Sequence, residues 1–273
     1  MGNLNVATNN RAPKCTWEQL KQDAAGTAVK ERALASMLHA VILNQKSFAD
    51  ALANHLAEKL SDADFKALHI RETILEVYAA DPGIIQAASD DLRAVRERDP
   101  ASKSCLQVFL YFKGFLAIQT HRVAHALYKS GREMFSYHLQ SRSSQLFAVD
   151  IHPAARIGSG LLFDHATGIV VGETAVIGDN CSILHGVTLG GTGKDDEDRH
   201  PKISDNVLIG AGAKVLGNIK VGEGSLVAAG SVVLEDVKAH CTVAGVPAKP
   251  IGGACCENPA REMNQILLDF SEG

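Results

Sequence analysis

Two polar stretches of the chain carry groups that could do chemistry. The first is Asp164-His165-Ala166-Thr167-Gly168, an imidazole beside a carboxyl group, with Asp150-Ile151-His152-Pro153 before it and His185 after it. The second is Arg199-His200, which follows the glycine-rich run Gly190-Gly191-Thr192-Gly193-Lys194. A carboxylate next to an imidazole can orient it as a general base, so His165 is the leading candidate for proton abstraction. A lone histidine is more often a satisfied structural residue; Asp150, Asp164 and His200 nearby favour a functional one. The glycine run is not a phosphate loop of the nucleotide-binding type. The first glycine of that motif would fall at Thr188, and Asp195 follows the lysine where Ser or Thr is needed. It remains a turn in which backbone N–H groups can approach a ligand closely.

The elements that must hold these residues follow from a six-residue period. Ile151, Ile157 and Phe163 lie six apart; after a two-residue slip the series continues at Val171, Ile177, Ile183 and Leu189, and after a break at 190–202 at Ile203, Ile209, Val215, Val221, Val227 and Val233. With 46% of the chain hydrophobic, thirteen apolar positions in a row arise by chance less than about once in ten thousand trials. Six of the following positions are glycine, which permits a tight bend. Six fits neither a helix nor a hairpin meander. It fits a parallel β-helix in which three hexads close one coil, each anchor points inward, and stacked coils pair their strands. A β-sandwich would turn every 8–12 residues instead. The period does not set the handedness of the coil. The break is the one large insertion, and both polar stretches lie at irregularities of the stack, the slip and the insertion. His165 and His185 each stand two places after an anchor, which predicts that they stack one coil apart. With His200 they would make a three-imidazole set that zinc accepts, as in γ-class carbonic anhydrases, although Arg199 is a poor neighbour for a cation.

Ahead of the coils, residues 16–147 are helical, with stripes at Leu34, Met37, Leu38, Val41 and Ile42 and at Phe48, Leu52, Leu56 and Leu60. Ser61-x-x-Asp64 reads as a helix start, Asp81-Pro82-Gly83 as a break, and helices are predicted over Ile84–Val95, 105–128 and 132–147. Residues 1–15 read as a disordered start, 148–250 as the β-helix domain, and 251–273 as a flexible tail with one short helix around Met263 to Phe270. The net charge of −4 without a basic run excludes nucleic acid as the expected partner. No signal peptide is visible, and the apolar stretch 105–118 is interrupted by Lys113 and too short to span a bilayer, so a cytoplasmic protein with reduced thiols at its six cysteines is expected.

The quoted segments, together with Gly-Ile-Val-Val-Gly-Glu173, Val187-Thr-Leu-Gly, Asp198-Arg-His-Pro-Lys-Ile203, Arg98-Asp99-Pro100-Ala101, Gly210-Ala-Gly-Ala-Lys214 and Gly245-Val-Pro-Ala-Lys249, closely resemble bacterial serine O-acetyltransferases over residues 30–250. The resemblance implies an α+β fold, an N-terminal helical assembly domain followed by a left-handed parallel β-helix. It implies acetyl transfer from acetyl-CoA to the L-serine hydroxyl, with no metal, as the first step of cysteine synthesis, and inhibition by L-cysteine in the serine site. By motif, His165 would be the base and Asp150 its orienting partner. Asp99 and Asp164 would hold the substrate ammonium, and Arg199, with His200 beside it, its carboxylate. Coenzyme A would lie in a groove between neighbouring β-helices past Gly191, Thr192, Ala211 and Ala229, with Lys249 toward a phosphate. On its own, Asp99 reads as a helix-ending Asp-Pro turn. The family assembles as trimers, paired through the helical blocks. Its tail ends in an isoleucine that docks into O-acetylserine sulfhydrylase, whereas this chain ends Asp269-Phe270-Ser271-Glu272-Gly273, so that partner is doubtful. A sugar or xenobiotic acetyltransferase is the near alternative and would need no amino-acid clamp at Asp99 and Arg199.

Overall fold

The computed structural model describes residues 15–193, 197–254 and 256–265. Helices come first: α1 (Trp17–Lys30), α2 (Arg32–Leu38) running into a π-helical turn at His39–Leu43, α3 (Phe48–Leu60), α4 (Ala67–Ala80), α5 (Gly83–Arg98), α6 (Cys105–Tyr111), α7 (Lys113–Lys129) and α8 (Glu133–Phe147). Side-chain oxygens of Thr16, Ser47 and Ser104 accept the first free N–H groups of α1, α3 and α6. Three local expectations are corrected. The helix expected from Ser61 starts at Ala67, because Asp62 takes the N–H groups of Asp64 and Phe65 and closes a separate turn. The helix expected over 105–128 is two: Phe112 is extended (φ −80°, ψ 103°), and the second helix starts afresh so that Gly114 can lie against the Phe163 carbonyl, where a Cβ would be 2.1 Å from the oxygen. Cys15 and Cys105 form a disulfide across the starts of α1 and α6 rather than two free thiols.

The coils then stack as three parallel faces. The first is β1 (Val149–Ile151), β4 (Ile169–Val171), β7 (Thr188–Gly190), β10 (Lys214–Leu216) and β13 (Val232–Val233); the second is β2 (Arg156–Ile157), β5 (Val176–Ile177), β8 (Lys202–Ile203) and β11 (Lys220–Val221). The third is β3 (Leu162–Asp164), β6 (Ser182–Leu184), β9 (Leu208–Ile209), β12 (Leu226–Val227) and β14 (Cys241–Gly245), extended antiparallel by β15 (Ala248–Gly253). The anchors form three inward columns in register: Ile151, Val171, Leu189, Val215 and Val233; Ile157, Ile177, Ile203 and Val221; Phe163, Ile183, Ile209 and Val227. All are buried except Ile157, which is half-buried.

After residue 250 the chain keeps regular structure that the loss of period does not announce. β15 runs to Gly253, and α9 (Pro259–Glu262) packs on the third face, its Ala260 carbonyl taking a bond from the Ser182 hydroxyl at 2.7 Å. The helix expected around Met263 to Phe270 does not include residues 263–265, which follow α9 without helical structure. Met263, in the left-handed region, terminates α9, and residues 266–270 lie outside the described residues.

Helices and coils share one continuous apolar core. At their junction lies a buried ion pair, Asp91–Arg122, at 2.7 Å. Asp91 Oδ1 accepts from the Leu161 N–H at 2.9 Å, its Oδ2 accepts from Gln119 at 2.9 Å, and Arg122 donates to the Gly158 carbonyl at 2.7 Å. None of the described helices is long and apolar enough to cross a membrane.

Two buried histidines make stability depend on pH. Burial pushes the His55 imidazole down to about 4 and His121 to about 3. Both folded values lie below the ordinary one near 6.5, so the unfolded chain takes up protons first and stability is lost as pH falls below that value. Urea unfolding measured from pH 7.5 to 4.5 should show stability dropping by up to about 1.4 kcal/mol per pH unit for each histidine. The part due to His55 should vanish in His55→Leu; an unchanged slope in that variant would contradict the assignment.

Candidate active site

The slip is a corner with two extra residues. His165 and Ala166 both take left-handed backbone (φ 54° and 58°), and the turn pushes the His165 ring into solvent, 77% exposed. Nε2 of His165 lies 3.9 Å from Asp164 Oδ1, and the His185 ring stacks below at 5.9 Å, inclined by 75°, as the period predicted. Lys113, at the start of α7, holds the turn through the Thr167 hydroxyl. This corner joins the third face to the first.

Arg199 and His200 sit at the next corner, where the insertion joins the first face to the second. Their backbone N–H groups both donate to Thr174 Oγ1 at 3.0 Å. Nδ1 of His200 accepts from the Thr174 N–H at 3.2 Å and meets the Thr174 hydroxyl at 2.9 Å, which leaves the proton of the neutral ring on Nε2. Arg199 Nη2 lies 2.6 Å from Glu173 Oε2, and that bond holds the Glu173 carboxyl below its usual range. Burial first, and then the charge of Arg199, lower the His200 imidazole. His200 fits because Gly172 has no side chain: a Cβ there would be 1.9 Å from the ring. His152 is half-buried beside Tyr128 and Tyr137, ring centroids 6.0 and 5.9 Å away, and burial lowers it too.

The other sequence-predicted residues divide between the same two corners or stand apart. Ala211 and Ala229 lie below His185 on the first corner, half-buried and exposed. Gly191 abuts the Arg199 stem, and Thr192 abuts Gly217, on the second. Asp150 lies on the first face, where its carboxylate accepts from Gln140 at 2.7 Å, so within one chain its partner is Gln140 and not His165. Asp99 caps its own turn, accepting from the Ala101 N–H at 2.7 Å, as its sequence context suggested. Lys249 is paired with Glu235 at 3.4 Å. His200 is not near the stacked pair of imidazoles in the way a zinc set requires, and among the described residues no cluster of three metal-ligating side chains is found. The six steps from His185 to Gly191 cross the whole first face, so the two corners are roughly 15–20 Å apart. A free amino acid, whose charged ends are about 4 Å apart, cannot touch both within one chain.

Residues 16–120 match the family described as "Serine acetyltransferase, N-terminal", and residues 200–235 the "Bacterial transferase hexapeptide (six repeats)". The serine acetyltransferase of Salmonella typhimurium is 51% identical over 249 residues, 91% of each chain. The chain belongs to the serine acetyltransferase family. A serine acetyltransferase structure in complex with cysteine superposes with a TM-score of 0.91 at 48% identity, covering 92% of this chain and 98% of that one. One from Brucella abortus strain S19, in complex with coenzyme A, gives 0.86 at 55%, covering 88% and 96%. This acyltransferase thus carries its two polar corners on either side of one exposed face.

The sequence alone assigns no role to Glu173, which figures only within a family-like segment, nor to Thr174 or Gln140. The insertion interrupts the count of hexads, and with it the register that would have set Thr174 beside His200. For this enzyme Gly172→Ala should displace His200 and lower kcat/KM for serine by roughly tenfold to a hundredfold, as small misplacements of binding groups do. Steady-state kinetics check this, and an unchanged kcat/KM would show that the His200 position is immaterial.

Proposed function

We propose that the enzyme transfers the acetyl group of acetyl-CoA to the hydroxyl of L-serine, giving O-acetyl-L-serine and CoA. The observation that carries the reading is the division of the chemistry between the corners: a solvent-facing imidazole with a carboxylate beside it on one, and a guanidinium with an ordered imidazole on the other. A threefold assembly that sets the first corner of one chain against the second corner of the next closes the gap no single chain can bridge. The related structure in complex with coenzyme A supports acetyl-CoA as the donor.

In that site Arg199, with His200 beside it, holds the serine carboxylate, while Asp164 and Asp99 hold the ammonium. This fixes the hydroxyl against His165. His165 takes the hydroxyl proton as the oxygen attacks the thioester carbonyl. The tetrahedral oxyanion that forms is met by backbone N–H groups near Gly191, and its collapse expels CoA as thiolate, which recovers the proton. Asp150 orients His165 from the neighbouring chain. Acetyl-CoA lies along the groove past Gly191, Thr192, Ala211 and Ala229, with Lys249 exchanging Glu235 for a phosphate. L-Cysteine presents the same two charged ends with a thiol for the hydroxyl, and so occupies the serine position as an inhibitor; a relative's structure holds cysteine. Residues 16–147 serve as the assembly domain, pairing two trimers, and 148–250 as the catalytic domain.

A thiol-release assay with acetyl-CoA and serine, homoserine, threonine or a galactoside tests this. Serine should be the preferred acceptor, and His165→Ala should lower kcat by roughly 10²–10⁴, the usual contribution of a general base. A preferred galactoside would favour the sugar acetyltransferase reading. Normal turnover in His165→Ala would remove His165 from the mechanism.

A further inference from the structure

The last helix of the block runs directly into the first strand of the coil. α8 ends at Phe147, Ala148 turns left-handed (φ 54°), and the chain comes back along the helix as β1. Gln140 and Ser143, three residues apart, lie on one face of α8 and both reach β1. The Ser143 hydroxyl donates to the Val149 carbonyl at 3.3 Å, and Gln140 Nε2 donates to Asp150 Oδ1 at 2.7 Å. The helix is docked without the second of these bonds. Ser136, Leu139, Ser143 and Phe147 are buried, and the Ser136 hydroxyl donates to the Ala124 carbonyl of α7 at 2.8 Å.

The coil itself offers Asp150 no donor. Its side chain points out of the first face between the buried Val149 and Ile151, and the residue next in register is the outward-facing Val170. Among the described residues no Lys, Arg or His nitrogen lies within 4.0 Å of its carboxylate. Asp150 Oδ2 has no hydrogen-bond partner there either and stays open to solvent. One oxygen is thus held by an amide of the helical block, and the other is free. Holding one oxygen selects the rotamer and so aims the other. A neutral amide does this without cancelling the charge; a guanidinium in its place would compete with an imidazole for the carboxylate.

We propose that Gln140 is a positioning residue for acetyl transfer. Its amide fixes Asp150 so that the free oxygen accepts the ring N–H of the neighbouring chain's His165, which leaves the other ring nitrogen to take the serine proton. The proposal rests on the shared site described above, in which Asp150 orients His165. Gln140 touches neither substrate and acts only through Asp150. The helical block, besides assembling the enzyme, thereby reaches the proton-abstracting imidazole.

Steady-state kinetics of the assembled enzyme test this. Gln140→Met keeps the length of the side chain and removes the donor. Its kcat should fall roughly tenfold, with KM for serine and for acetyl-CoA unchanged, and Gln140→Ala should behave alike. Asp150→Ala should lower kcat further, and adding Gln140→Met to it should cost nothing more, because the bond is already lost. Ser143→Ala, which loosens α8 on β1 without touching Asp150, should keep the parental kcat. The proposal is overturned if both Gln140 variants turn over like the parent, if their loss appears in KM, or if the losses multiply in the double variant. It is overturned equally if Ser143→Ala loses as much as Gln140→Met, since docking of the helix would then be the cause. Each of these results leaves the shared site standing. Parental kcat in Asp150→Ala would instead remove Asp150 from the mechanism, and the role of Gln140 with it.

Discussion

The buried Asp91–Arg122 pair is the interaction on which the placement of everything else depends. Asp91 leaves α5 and takes the backbone N–H of Leu161, while Arg122 leaves α7 and gives to the carbonyl of Gly158. Both contacts fall on the turn that leads into β3 and so to the slip with His165. The pair sets two helices against the first coil at one point, and from that point their far ends acquire fixed positions. The start of α7 meets Thr167 at the slip through Lys113. The end of α5 is held by Arg98, whose guanidinium donates to the Asn180 and Cys181 carbonyls at 3.2 and 3.3 Å and sets the place of Asp99. Removing one member of such a pair leaves an unpaired buried charge and costs about 3–5 kcal/mol, whereas replacing both by apolar groups is often neutral. Its value here is geometric: it makes the helical block and the coils one body.

A second constraint comes from the coil itself. A stack with a six-residue period offers its chemistry only at corners, because each strand from β1 to β13 is two or three residues long and points its anchor inward. Departures from the period are therefore the places where side chains can project. The slip spends two extra residues in left-handed conformation to expose one imidazole. The insertion spends many more to bring a guanidinium and an imidazole back onto Thr174 and Glu173. Both sites border the first face, and an acceptor held by both has to lie between chains.

Much of this was legible in the sequence because the coil is repetitive. Counting in sixes placed the columns in their register and stacked His165 over His185. Where the sequence reading failed, contacts distant in sequence decide the structure. The break at Phe112 follows from the approach of Gly114 to the Phe163 carbonyl, a contact that the glycine alone does not announce. Nothing in the spacing of Cys15 and Cys105 shows that α1 and α6 start side by side. The partnership of Thr174 with His200 is hidden by the insertion, and that of Asp150 with Gln140 depends on where α8 passes. β15 is a strand because it pairs with β14, although it has no hexad of its own.

The central claim is that the active site is shared, with His165 supplied by one chain and Arg199 by the next. Co-expression of His165→Ala chains with Arg199→Ala chains tests it most directly. Each variant alone leaves every site one group short. In randomly mixed trimers, about a quarter of the interfaces combine an intact His165 edge with an intact Arg199 edge, one half multiplied by one half. The account expects acetyl transfer to return to about a quarter of the parental rate in the mixture. A mixture no more active than its two separate components would contradict it.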